Sequence, residues 1–149
     1  MKIIGQQILY FLYWIVFFVS SRIIFVAYHH IKTATLTTGE ILKVFLYGLR
    51  LDASFTGYIC ILPFLCFCLQ PFISYARVKK ALTVYTYILI ILLSFLTIAD
   101  LELYKAWGFR LDATPLQYFK NPKEMGASIS ASPIVLLLGI FLLLCIFFI

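Results

Sequence analysis

Charge is what this sequence has least of. It carries 12 Lys and Arg, 6 Asp and Glu, and 12% charged residues in all, about half of what a soluble domain carries. So few ionised groups cannot clothe a water-soluble core, and a mean hydropathy of +1.05 excludes a disordered chain as firmly. Acids are scarcer than bases, and the formal charge is +6. In so apolar a chain that excess belongs on the cytoplasmic loops of a membrane protein, not on a nucleic-acid surface. Chemical motifs are missing as well. There is no Gly-rich phosphate loop, no Cys-x-x-Cys, and no Ser/His/Asp arrangement. The 4 Cys (Cys60, Cys66, Cys68 and Cys145) fall inside apolar runs, where they read as small buried hydrophobes without a disulfide framework. His29-His30 lacks a third ligand and reads as polar anchoring at a membrane interface. With 149 residues there is room for four or five spans, but none for a separate catalytic domain.

What is present is long apolar runs. Stretches at residues 8–28, 53–70, 81–99 and 133–149 reach spanning length. The fold class these imply is all-α, a polytopic transmembrane helix bundle with short interfacial helices on the outer face. The first run continues apolar through Ile23 to Tyr28 after only a single Lys near its start, which favours a retained span over a cleaved signal peptide. The connection from Pro71 to Lys80 holds Arg77, Lys79 and Lys80 and no acid, so it should face the cytoplasm together with the N-terminus. Segments 29–52 and 100–132, whose charges nearly cancel, should lie outside. The fourth run has no aromatic or basic anchor at its far end, so the chain reads as the front part of a longer protein.

The outer segments are the informative ones. Thr37-x-x-Glu40 is a capping box, and the apolar spacing after it predicts a helix over 37–52 lying in the outer interface. That helix ends in Gly48-Leu-Arg50-Leu-Asp52-Ala-Ser54. Sixty residues on, Gly108-Phe-Arg110-Leu-Asp112-Ala-Thr114 repeats it with five of seven positions identical. One reading is structural: a Gly turn, an Arg–Asp pair, and a Ser or Thr cap. The other is that the two guanidinium groups bind an anionic headgroup, since Arg matches phosphate bidentately. An Arg and an Asp two residues apart on a helix point away from each other, so crosswise pairing of Arg50 with Asp112 and Arg110 with Asp52 is expected. The spans would pack together to bury Gly57 and Ser94. Asp100, Tyr104 and Trp107 share one face of a continuation of the third span. Thr114-Pro115, Asn121-Pro122 and Ser132-Pro133 read as three successive helix starts. Arg22, inside the first span, either snorkels outward past Tyr28 or faces the bundle and pairs with an acid such as Asp100.

Gly48-Leu-Arg50-Leu-Asp52, then Asp100-Leu-Glu-Leu-Tyr104-Lys-Ala-Trp107-Gly108-Phe-Arg110-Leu-Asp112, followed by Tyr118, Pro122 and Glu124, resembles the N-terminal membrane domain of lipoteichoic acid synthase-like proteins. These are membrane-anchored members of the sulfatase and alkaline phosphatase superfamily. The resemblance implies about five spans followed by an extracytoplasmic domain that uses a metal-activated Thr. That domain moves a phosphoglycerol or phosphoethanolamine group from a phospholipid, and some relatives are sulfatases. It implies a bacterial cytoplasmic (inner) membrane, a membrane phospholipid and the chain's own C-terminal catalytic domain as partners, and a divalent metal in that domain alone. The chain departs from the pattern in lacking the fifth span, the nucleophile and the metal ligands, so no catalytic residue is carried over. Arg50, Asp52, Asp100, Tyr104, Trp107, Arg110 and Asp112 are the candidates for a lipid-headgroup or domain interface. The alternative is a complete small membrane protein with a structural or assembly role.

Overall fold

The computed structural model describes residues 2–108 and 133–149. Among them the protein is all-α, as its composition demands: α1 Lys2–Tyr28, α2 His30–Thr33, α3 Thr38–Cys68, α4 Tyr75–Trp107 and α5 Ile134–Phe148. Three helices are long and apolar enough to cross a membrane, over Ile4–Tyr28, Thr38–Cys68 and Tyr75–Lys105. Their outward faces carry Leu9, Leu12, Val16, Ile23, Leu62, Ile88 and Phe95, all exposed. Such surfaces are untenable in water and ordinary against acyl chains. The chain forms two compact units, Met1–Tyr87 and Ile88–Ile149.

The first unit is built on a seam between α1 and α3. On α1 the buried positions are Trp14, Phe17 and Arg22, with His29 buried just past its end; on α3 they are Gly48, Asp52, Thr56, Ile59 and Pro63. Steps of three and four keep the α3 set on one helix face, the spacing that lets two helices interlock along their length. Phe18 meets Phe55 edge to face, with ring centroids 5.6 Å apart, a favoured aromatic geometry. His29, just past the end of α1, packs against Phe25 and Tyr28, with ring centroids at 4.8 and 5.1 Å.

The expected boundary between an interfacial helix and the second span is absent. Residues 38–68 form one uninterrupted helix of 31 residues, about 46 Å long and well beyond a hydrocarbon core of about 30 Å. The capping box is where the sequence puts it: the Thr37 side chain accepts from the Glu40 backbone N–H, and the Thr37 backbone N–H donates to Glu40 Oε2 at 2.7 Å. Nothing in 48–54 breaks the helix, because a lone Gly amid Leu, Arg and Ala weakens an α-helix without ending it.

Pro63 does interrupt the ladder. It has no N–H to give the carbonyl of Ile59, and an orphan carbonyl in hydrocarbon is costly. The fourth helix supplies the missing donor: Tyr85 Oη–H donates to the Ile59 carbonyl at 3.2 Å. The next residue, Thr86, donates to the Leu82 carbonyl at 2.8 Å. Its single proton is thereby used, so Tyr10 is the donor in the 3.0 Å bond between Tyr10 Oη and Thr86 Oγ1. These two tyrosines tie the first half of α4 to α3 and α1.

In the second unit α4 buries Ile90, Leu93, Ser94, Asp100 and Leu101 and ends at Gly108, whose φ of +77° lies in the left-handed region. The Gly108 N–H closes the last turn on the Tyr104 carbonyl, the usual way a helix stops on glycine. Ser94 is buried as expected, whereas Gly57 on α3 is exposed with open space around it. Where a fourth span is expected, the described residues form the apolar helix α5, whose 15 residues cover about 22 Å, less than the hydrocarbon thickness. Its start is one residue later than the sequence suggests, with Pro133 flanking the helix and not inside it. The helix starts expected at Thr114 and Asn121 lie outside the described residues.

Tyr85→Phe should lower stability in detergent by about 1 kcal/mol, the scale of an interhelical hydrogen bond in a membrane protein. In a Pro63→Ala background, where an N–H again serves Ile59, the same change should cost much less. Equal losses in the two backgrounds, measured by reversible denaturant titration, would contradict the repair of Pro63 by Tyr85.

Candidate functional site at the Gly-x-Arg-x-Asp repeat

In its first copy the repeat is the middle of a helix. Gly48 and Asp52 are one turn apart and share the face turned to α1, and Arg22 reaches across from α1 to meet them. Arg22 Nη2 donates to Asp52 Oδ1 at 2.9 Å, and Nη1 donates to the Phe45 carbonyl at 3.3 Å. Both partners are withdrawn from the surface, with side-chain exposures of 9% and 11%. Gly48 makes the approach possible: a Cβ there would occupy the space filled by the Arg22 guanidinium. Gly, Arg and Asp form a single lock across the seam.

The lock also sets depth. From Arg22 back to Ile4 is about 27 Å, and from Asp52 on to Cys68 about 24 Å, so the two helices end nearly level on that side. Were Ile4 and Cys68 to mark one edge of a core of about 30 Å, the ion pair would sit about 3–6 Å inside the other edge. In the other direction α1 continues about 9 Å to Tyr28, while α3 continues about 21 Å to Thr38. The segment 38–45 therefore extends past the end of α1 instead of folding over at residue 52.

Arg22 faces the bundle and pairs with an acid, and that acid is Asp52. A carboxylate on the buried face of α3 is matched by the guanidinium on the opposing face of α1, while the expected pairing of Asp52 with Arg110 involves a residue outside those described. Arg50 lies about 200° around the helix from Gly48 and Asp52. It is exposed and has no ion-pair or hydrogen-bond partner among the described residues. Neither the turn, the Arg50–Asp52 pair nor a Ser54 cap expected of the first copy is formed. The second copy begins with Gly108 as the stop of α4, and Arg110 and Asp112 lie outside the described residues. Asp100 is buried and Tyr104 half-buried on α4, which carries through Trp107 as one helix.

Sequence reasoning overlooked Gly48 and Arg22 as parts of a site. The available signal was the Gly48–Asp52 spacing of four, which places a gap beside a carboxylate on one face. Among the described residues no three His, Cys, Asp or Glu come together as metal ligands, so these side chains do not fit a divalent ion.

A Gly48→Ala exchange should show a change of sign. Alone it should destabilise, because the added methyl displaces Arg22 and leaves a buried carboxylate poorly matched. In an Arg22→Leu/Asp52→Leu background it should stabilise by about 0.8–1 kcal/mol, the intrinsic helix preference of Ala over Gly. Melting curves of the four proteins decide it, and the same sign in both backgrounds would rule out the cradle.

No family model matches this chain, and no curated protein or solved structure matches it either.

Proposed function

We propose that this chain is the membrane domain of a bacterial inner-membrane enzyme. It anchors an extracytoplasmic catalytic domain of the lipoteichoic acid synthase-like, sulfatase-related class and presents a phospholipid headgroup to it. The observation that carries the reading is the buried Arg22–Asp52 lock, which joins α1 to α3 close to one membrane surface. It fixes the two helices in register and leaves α3 standing beyond the hydrocarbon. That is mechanical work suited to a platform, and it leaves Arg50 at headgroup level with its charge unspent. Phosphotransfer or sulfatase-like hydrolysis belongs to the domain this platform would carry; none of the described residues is assigned a chemical step. The gene tests this directly. The reading frame should continue past the Ile149 codon into several hundred residues rich in Asp, Thr and His. An immediate stop codon would instead favour a small structural or assembly protein.

The same proposal places the N-terminus and the loop between α3 and α4 in the cytoplasm, on the strength of Arg77, Lys79 and Lys80. In a Cys-free background, a single Cys at Thr35 should react with a membrane-impermeant thiol reagent in intact cells. A single Cys at Lys80 should react only after the membrane is opened. The reverse pattern would invert the topology and put the lock in the inner leaflet.

A further inference from the structure

The face of α3 opposite the lock is built unlike a surface that merely meets bulk lipid. Lys43, Tyr47 and Arg50 follow one another at spacings of four and three, so they form one stripe, and all are exposed. From the depth set by the lock, Tyr47 falls about 2–5 Å beyond the hydrocarbon boundary and Arg50 just inside it. The long side chains of Arg50 and Lys43 converge on the phosphate layer from below and above. Inward of Arg50 the same face continues with Ser54 and Gly57, at further steps of four and three. Both are exposed, and a Cβ at Gly57 would meet nothing within 4 Å. Leu51, Phe55 and Tyr58 stand exposed along one side of it, Ala53 and Cys60 lie along the other, and Ile61 closes its inner end. The stripe therefore begins as two cations and a phenol at headgroup depth and becomes a shallow trough beside a bulky ridge at acyl depth.

We infer that this face of α3 holds one phospholipid. Its phosphodiester lies between Arg50 and Lys43, the Tyr47 hydroxyl donates to a phosphate or glycerol oxygen, and one acyl chain lies along Ser54 and Gly57. A phosphate oxygen pair matches the guanidinium fork of Arg50, whose charge Asp52 cannot neutralise because it faces the other way. The lipid's negative charge is what the stripe lacks, and its chain fills the trough without any polar group entering the hydrocarbon. This inference deepens the platform reading, from which it takes the lipid as partner. It names a site on which that reading does not depend, since the gene test and the lipid test can fail separately.

Native mass spectrometry of the purified full chain, released from detergent with added phosphatidylglycerol, provides the test. The wild-type protein should retain one phosphatidylglycerol. Arg50→Gln should lower that occupancy at least about threefold, an effect Arg50→Lys only partly restores because it returns the charge without the fork. Gly57→Leu, which fills the trough and leaves every charge in place, should lower it as well. Dioleoylglycerol, with the chains but no phosphate, should not be retained, and millimolar glycerol phosphate should not displace the lipid. Neither Arg50 nor Gly57 is packed against the protein, so the Arg50 variants should melt as the wild type does and Gly57→Leu no lower, since leucine is the better helix former. Undiminished retention by Arg50→Gln, equal retention of dioleoylglycerol, or displacement by glycerol phosphate would each overturn the assignment.

Discussion

An ion pair withdrawn from water has to be well made or it destabilises what surrounds it, and the first unit of this protein is arranged around that requirement. Arg22 is the one charge in α1 beyond Lys2 at its start, and in hydrocarbon it must find an acid, a carbonyl or the surface. It finds Asp52 and the Phe45 carbonyl together, and the absence of a side chain at position 48 lets it approach closely enough to use both. The register of α1 against α3 follows from that one contact. So does the placement of Trp14, Phe17, Thr56 and Ile59 along the seam below it.

The second constraint is the backbone itself. A proline in a membrane helix leaves a carbonyl that only another helix can satisfy, and the Tyr85 hydroxyl does so. Together with the Tyr10–Thr86 bond, this gives the start of α4 a polar attachment in a region where lipid and protein are equally apolar. Hydrophobicity alone would not hold helices together there. The lock near one surface and the tyrosine bonds deeper in the unit perform the same task at two depths.

The three long spans were legible in the sequence because twenty uncharged apolar residues in a row admit few other structures. The end of α1 at Tyr28, the Thr37 capping box and the run of α4 through Trp107 were legible for equally local reasons. The joining of 37–52 to the span was not, since a capping box announces where a helix begins and says nothing of whether it later bends. The partner of Arg22 was not legible either. Sequence distance favours neither Asp52 nor Asp100, and the choice depends on which face each acid occupies once the helices are packed. The repeat was visible as a phrase, but a phrase does not fix conformation: Arg50 and Asp52 take opposite sides because the helix carries them there, whatever the second copy does.

The two glycines that open the repeat are indispensable for unrelated reasons. At 48 the backbone is ordinary helix that any L-residue could adopt, and what is forbidden is volume. At 108 there is space for a side chain, and what is forbidden is handedness, because φ of +77° is disfavoured for any residue with an L-configured Cβ. Asparagine, the residue that best tolerates that left-handed geometry after glycine, is therefore admissible at 108 and excluded at 48, whereas alanine is unwelcome at both. A mutational drift that keeps the two copies looking alike must keep glycine in each. The resemblance between them is thus maintained by two independent filters, one of size and one of chirality, acting on the same letter.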